Sequence, residues 1–239
     1  MIRTLVIVLS ICHFTSLGQG PTFKSAGADW VITGGTVILA TGSTFFRFSG
    51  VGYDIKDLPD FNPLDINRFD RKATNNWSPK AAKHSDIIAL TAPFFPALLF
   101  LDKDNHQESR AIGHMYFQSA LLTLSMTDFT KRFVQRARPL MYSDYASLDV
   151  KGKVSSRYSF FSGHTSLTAS QCMLTAKIFS ELYPDSDNKK YVWAGAILYP
   201  AVVGYLRVRS GKHFPTDVIT GYLVGGLIGY LIPHFHLNR

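Results

Sequence analysis

The sequence predicts an all-α fold, a bundle of five to six helices embedded in a membrane. Apolar segments with the length and spacing of helices recur between residues 86 and 236, and polar turns separate them. Hydrophobic residues make up 46% of the 239-residue chain and charged residues only 18%, a low charged share for a soluble domain. A mean hydropathy of +0.05, with polar side chains inside several segments, keeps a soluble exported bundle as the alternative.

The N-terminal 85 residues precede this bundle and divide into two parts. Residues 1–20 resemble a secretory signal peptide, because Arg3 precedes a short apolar core and small residues follow it. A first membrane helix is the alternative, although the apolar run is short for a span. In residues 21–85, an apolar segment at 30–48 is a weak candidate span, and the polar residues 50–85 predict a long loop.

Residues 86–236 form the predicted helical domain. Its five apolar segments are, in chain order, Ile87–Leu101, Gly113–Lys131, Ser166–Tyr183, Trp193–Leu206 and Val218–Pro233. Pro93 and Pro96 interrupt the first segment, and polar side chains interrupt the second and third, whereas the fourth is strongly apolar. The last segment carries glycines at 221, 225, 226 and 229, a spacing that lets neighbouring helices approach closely.

The net charge of +8 suits an anionic membrane surface or an anionic substrate. Nucleic acid fits poorly as a partner because the basic residues are scattered, so no nucleic-acid partner is expected. Cys172 lies in an apolar helical pattern and is predicted to be a core residue. Because Cys12 lies in the predicted leader, no internal disulfide is expected.

The stretch from Arg207 to Asp217 combines charge with a helix start. Ser210 and Gly211 should end the preceding helix, and Pro215 suits the first turn of the next. A helix beginning there would place Asp217 on the same face as His213, where a carboxylate can orient an imidazole. His213 is therefore a candidate nucleophile or base. The alternative is a surface turn with a capping Asp.

Two further stretches carry groups that bind oxyanions. Lys131 and Arg138 are seven residues apart, which predicts a shared helix face, and Pro139 should end that helix at Arg138. Phe161-Ser162-Gly163-His164-Thr165 predicts a capped helix start with open backbone amides and a histidine beside a bound anion. An ordinary basic helix end and a capping turn with an incidental histidine are the respective alternatives.

Together the three stretches resemble the type 2 phosphatidic acid phosphatase family, which shares its core with class A acid phosphatases and vanadium haloperoxidases. Its signature is Lys-x6-Arg-Pro, Pro-Ser-Gly-His and Ser-Arg-x5-His-x3-Asp. Nine of these positions match in order and spacing, with Phe161 and Leu206 standing where the signature has Pro and Ser. The resemblance covers roughly residues 85–235.

The resemblance implies a role for each matched residue. His213 would attack phosphorus and become a phosphohistidine, Asp217 would orient it, and His164 would protonate the leaving oxygen and then activate water. The phosphate oxygens would be held by Lys131, Arg138, Ser162, Gly163 and Arg207. No metal and no cofactor are implied. Further basic residues are candidates for attracting a polyanionic headgroup, or are simply solvated or lipid-facing: Arg132, Arg136, Arg157, Arg209 and Lys212.

By this resemblance the protein is a metal-independent phosphatase acting on a lipid phosphate or lipid diphosphate. It would lie in a bacterial inner membrane among membrane lipids, with its active site facing the periplasm. A soluble exported acid phosphatase is the first alternative; a vanadate-dependent haloperoxidase and a non-catalytic lipid-binding protein rank below it. The sequence leaves the individual substrate and the oligomeric state open.

Overall fold

The computed structural model describes residues 33–42 except 40, residues 61–102 and residues 108–237. The predicted signal peptide lies outside these residues. Five long helices dominate the described chain, which contains no β-strand: α1 Pro79–Thr91, α2 Ser109–Val134, α3 Gly163–Leu182, α4 Lys189–Arg209 and α5 Pro215–His236. The predicted all-α bundle is therefore confirmed.

Helix α3 lies at the centre of the bundle, because it packs against α2, α4 and α5 and most of its side chains are buried. A core of apolar residues joins it to its neighbours, with Ile112 and Met115 from α2, Leu174 and Ile178 from α3, and Ile232 from α5. Cys172 is buried on α3, as predicted.

The first long helix begins earlier than the predicted domain. Ser78 caps α1 by accepting a hydrogen bond from the amide of Ala81, and Pro79 occupies the first turn, where its missing N–H costs nothing. The boundary drawn between residues 85 and 86 therefore falls inside a helix. After Thr91 the chain continues as two 3₁₀ turns, each with a proline in its first turn.

Helix α2 ends four residues before Arg138. Gln135 adopts a left-handed conformation with φ of 45°, and its amide closes the last turn on the carbonyl of Lys131. Arg138 is extended, with φ of −78° and ψ of 155°, as a residue before proline should be. The prediction of one helix face carrying Lys131 and Arg138 is therefore wrong. Three short helical turns follow, at Pro139–Tyr142, Leu148–Lys151 and Val154–Arg157.

Helices α3 and α5 approach each other through small residues. A Cβ placed on Gly225 would lie 1.9 Å from the carbonyl oxygen of Ser166, and one on Gly229 would lie 2.1 Å from that of Ser170. Gly221 faces Ser162 in the same way, at 2.7 Å. Three of the four glycines that the sequence singled out thus make this contact, and it fixes the start of α3 against the start of α5.

Within the described residues, three segments are long and apolar enough to cross a membrane: Pro79–Leu101, Lys189–Arg209 and Pro215–His236. Their outward surfaces carry large apolar side chains that a soluble protein would bury. Examples on α4 and α5 are Leu198, Tyr205, Leu223, Leu227 and Phe235.

Candidate active site

Four helix ends meet at one end of the bundle. Lys131 lies in the last turn of α2, Ser162 caps α3, Arg207 lies in the last turn of α4, and His213 lies just before α5. The amide of Ser162 donates to the carbonyl of Asp217 over 3.0 Å and so ties the start of α3 to the start of α5. The three sequence stretches therefore lie at the same end of the bundle.

The turn between α4 and α5 requires a glycine. Gly211 has a φ of +72°, and a Cβ on it would lie 2.2 Å from the carbonyl oxygen of Asn76. Its own carbonyl accepts from the amide of Leu140 over 2.9 Å. This hydrogen bond brings the segment carrying Arg138 against the turn that carries His213.

Three cations converge on this end. Lys131 Nζ lies 3.5 Å from the point where a Cβ on Gly163 would sit, so it is next to the first turn of α3. Arg138 and Arg207 are buried, and the Nε atom of each has no hydrogen-bond acceptor among the described residues. Burial and the neighbouring charge of Arg207 lower the pKa of Arg138 to about 9. Buried, unsatisfied guanidinium donors are expected where an anion binds.

The imidazole of His213 is fixed in one tautomer. Its Nδ1 lies 2.6 Å from the backbone carbonyl oxygen of Ser159. Because a carbonyl oxygen only accepts, Nδ1 carries the proton and the lone pair is on Nε2. Burial and the charges of Arg138, Arg207 and Lys131, with the ring of His164, hold the pKa of His213 well below its usual value. The ring is therefore neutral at physiological pH.

The sequence predicted that Asp217 orients His213 directly, but the structure shows no hydrogen bond between them. Asp217 Oδ2 lies 3.8 Å from His213 Nδ1, beyond hydrogen-bond distance. It accepts instead from the Ser159 hydroxyl over 2.5 Å and from the amide of Phe214 over 2.8 Å. Asp217 therefore acts on His213 through Ser159, and it also caps helix α5, so the capping role and the positioning role coexist.

A buried ionic cluster that the sequence did not indicate holds Asp217. Arg136 Nη1 lies 2.5 Å from Asp217 Oδ1, and its Nη2 lies 2.8 Å from Asp70 Oδ2. Asp70 also accepts from the hydroxyl and the amide of Thr216. Burial raises the pKa of Asp70, but hydrogen bonds from Thr216, Arg136 and Asn67 outweigh it and lower the pKa. The guanidinium of Arg136 is thus paired with two buried carboxylates.

His164 faces a carboxylate through its Nε2 atom. Nε2 lies 2.9 Å from Asp86 Oδ1, within ion-pair distance, and this acceptor oxygen favours a proton on Nε2. The same oxygen of Asp86 accepts from Arg207 Nη1 over 2.8 Å. Asp86 was not among the site residues predicted from the sequence. The available signal was a lone carboxylate directly before the apolar run Ile87–Leu101, since ionisable residues beside membrane segments are usually functional.

The start of α3 resembles an anion-binding helix end. Ser162 is fully buried and caps the helix through the amide of Thr165, with its hydroxyl 2.9 Å from that of Thr165. Gly163 is the first helical residue, so its amide has no partner within the helix. The predicted cap is confirmed.

Comparison with known proteins places this arrangement in a family. The family model described as PAP2 superfamily matches residues 113–239, which is more than half of the chain and includes all nine signature positions. The chain belongs to the PAP2 superfamily. The family resemblance drawn from the three stretches is confirmed.

Two named relatives are phosphatases of lipids. The chain is 29% identical over 153 residues to lipid A 4'-phosphatase of Porphyromonas gingivalis, covering 63% of this chain and 60% of that protein. It is 30% identical over 135 residues to undecaprenyl-diphosphatase of Sulfolobus acidocaldarius, covering 56% and 58% respectively. The aligned region thus spans less than two thirds of either relative.

A solved structure shares the fold. The crystal structure of a transmembrane PAP2 type phosphatidylglycerolphosphate phosphatase from Bacillus subtilis aligns with a TM-score of 0.52 and 21% identity, over 87% of this PAP2 chain and 94% of that chain. With the three apolar spans and their exposed apolar surfaces, this identifies a membrane protein. The membrane-embedded bundle is therefore confirmed over the soluble alternative.

Proposed function

We propose that this PAP2 protein is a phosphatase that hydrolyses a lipid phosphate or lipid diphosphate, without a metal, through a phosphohistidine on His213. The observation that carries the proposal is that the Nε2 atoms of His213 and His164 are in opposite protonation states at one cationic site. Nε2 of His213 has a free lone pair, as a nucleophile needs, and Nε2 of His164 carries a proton, as a general acid needs.

The first step forms the covalent intermediate. Nε2 of His213 attacks phosphorus and forms a P–N bond, the P–O bond to the leaving group breaks, and the electron pair goes to the leaving oxygen. His164 acts as the imidazolium at this step: it gives its Nε2 proton to that oxygen and becomes neutral, with its remaining proton on Nδ1. Lys131, Arg138 and Arg207 stabilise the charge on the equatorial oxygens, together with Ser162 and the Gly163 amide. Phosphoryl transfer depends mainly on such positioning and charge stabilisation.

The second step releases phosphate. Neutral His164 takes a proton from water as the water oxygen attacks phosphorus. The P–N bond breaks, its electron pair returns to Nε2 of His213, and inorganic phosphate leaves. Asp217 is a positioning residue in both steps, because it holds Ser159, whose carbonyl fixes the ring of His213.

Three cations supply the positive charge that a metal provides in other phosphatases. In the described part of the chain, no group of three or more His, Cys, Asp or Glu side chains could hold a metal ion. We expect phosphate release to be unaffected by EDTA. Loss of activity with EDTA that added divalent cation restores would contradict metal independence.

Phosphate release from a panel of lipid phosphates, lipid diphosphates and soluble phosphomonoesters tests the function. In detergent, the unmodified protein should act on the lipids, His213→Ala should abolish release, and His164→Ala should lower it by about 10²- to 10⁴-fold. The control is His234→Ala, at the opposite end of α5, which should retain activity. Full activity in His213→Ala would overturn the mechanism.

The covalent intermediate can be trapped separately. Brief incubation with a ³²P-labelled lipid phosphate followed by denaturation should leave an acid-labile label on the unmodified protein and on His164→Ala. His213→Ala should carry none. A label that persists in His213→Ala would assign the nucleophile to another residue.

A further inference from the structure

The Asp86 carboxylate bridges two groups of the site. Its Oδ1 lies 2.9 Å from His164 Nε2, within ion-pair distance, and accepts from Arg207 Nη1 over 2.8 Å. One oxygen therefore sits between the proton donor and an anion-binding guanidinium. An oxygen of the substrate at the leaving-group side would need these same two donors.

Asp86 differs from the other two carboxylates described above. Asp70 and Asp217 are fully buried, and Arg136 offsets their charge. The Asp86 side chain is 57% exposed, whereas that of Arg207 is only 5% exposed. The negative charge of Asp86 is therefore exposed, beside the ring that protonates the leaving oxygen in the proposed mechanism.

The chemical nature of the leaving group decides what Asp86 does. Hydrolysis of a phosphomonoester releases an alcohol, which is neutral once His164 has protonated it. Hydrolysis of a lipid diphosphate at its terminal phosphate releases a lipid monophosphate, whose charged oxygens lie two bonds beyond the oxygen that His164 protonates. Like charges so close, in a site partly shielded from water, repel each other strongly.

Building on the proposed function, we infer that Asp86 is a specificity-determining residue that favours lipid phosphomonoesters over lipid diphosphates. It acts by repelling an anionic leaving group on the His164 side of the site. A diphosphate that binds there must also displace Asp86 from Arg207.

Two substrates with the same lipid chain test this inference. The ratio of kcat/KM for farnesyl diphosphate to that for farnesyl monophosphate is measured in detergent micelles. Asp86→Asn removes the charge with little change in shape and should raise this ratio about tenfold, which corresponds to about 1.4 kcal/mol. Asp86→Glu keeps the charge and should leave the ratio near that of the unmodified protein.

A matched control separates this local effect from total charge. Asp185→Asn makes the same chemical change at an exposed carboxylate beyond the far end of α3. It should leave the ratio unchanged. If the Asn variant at position 86 is poorly folded, Asp86→Ser removes the charge with a smaller neutral side chain.

The outcomes distinguish the two proposals. An unchanged or lower ratio in Asp86→Asn and Asp86→Ser, including an equal loss with both substrates, would overturn this inference while the phosphatase function stood. Failure of the unmodified protein to release phosphate from either lipid would overturn both.

Discussion

At the scale of single residues, the oxygen atoms beside two histidines favour opposite protonation states of their Nε2 atoms. The backbone carbonyl of Ser159 leaves the lone pair of His213 on Nε2, and the carboxylate of Asp86 leaves a proton on Nε2 of His164. Neither oxygen belongs to the family signature. The roles proposed for the two histidines thus depend on neighbours that the signature does not contain.

Burial of neutral His213 makes stability depend on pH. Its pKa when folded lies well below its usual value of about 6.5, so between these two values the unfolded chain binds more protons than the folded one. His213 therefore stabilises the fold fully above pH 6.5 and loses this contribution as the pH falls. Between pH 6.5 and 5.5 the free energy of unfolding should drop by about 1 kcal/mol more in the unmodified protein than in His213→Gln.

Denaturant unfolding in detergent at these two pH values measures the difference. Lys131, Arg138, His164 and Arg207 face the ring and are present in both proteins, so the comparison isolates the ring itself. An equal pH dependence in the two proteins would show that folding does not lower the pKa of His213.

Arg136 allows a second prediction at this scale. Arg136→Gln would leave the fully buried carboxylates of Asp70 and Asp217 without their cation, which should lower the free energy of unfolding by about 3 kcal/mol or more. Arg132→Gln is the control, since its described hydrogen bond goes to the neutral hydroxyl of Tyr158. Thermal unfolding of both variants measures the difference. An equal loss of stability in Arg136→Gln and Arg132→Gln would contradict the prediction.

At the scale of helices, the contact of α3 with α5 positions the site. A Cβ on Gly225 would lie 1.9 Å from a backbone oxygen, and backbone cannot move aside as a side chain can. Gly225→Ala should therefore separate the two helices, lower the free energy of unfolding by about 1–3 kcal/mol and reduce activity.

The adjacent glycine is a stringent control. A Cβ on Gly226 would have an ordinary contact of 3.8 Å with Met173 Cγ. Gly226→Ala should therefore be neutral or stabilise the helix by up to about 1 kcal/mol. Thermal unfolding of the pair checks the contact. If Gly226→Ala were less stable than Gly225→Ala, the helix packing described here would be wrong.

Helices and signature positions could be predicted because each leaves a local mark in the sequence. Proline at a helix start, glycine at a turn and apolar spacing correctly indicated the start of α5, the end of α4 and the cap of α3. The end of α2 was missed because it depends on the left-handed conformation of Gln135, a residue type that normally continues a helix.

The contacts that complete the site could not be predicted because they join distant parts of the chain. Asp86 meets Arg207 across 121 residues, and Arg136 meets Asp70 across 66. Spacing along one helix suggested that Asp217 would reach His213, yet the Ser159 carbonyl from a different segment takes that position. Tertiary packing decides which oxygen atom contacts Nδ1 of His213.

At the scale of the whole molecule, the site occupies one end of a membrane bundle, and its orientation can be measured. We propose that it faces the periplasm. In a Cys12→Ser background, Ser155→Cys adds an exposed thiol to a turn at the site end, and Asp187→Cys adds one beyond the far end of α3. In spheroplasts, an impermeant thiol reagent should label only Ser155→Cys. Labelling of only Asp187→Cys would reverse the topology.

The ion pairs of Arg136 also bear on how far the protein can be shortened. A truncated chain starting at Pro79 would retain every long helix and all nine signature residues, but it would lack Asp70. Arg136 would then have only one of its two carboxylates, and Thr216 would lose its acceptor at the start of the last helix. The smallest active fragment should therefore begin ahead of Asn67, which holds Asp70 in place.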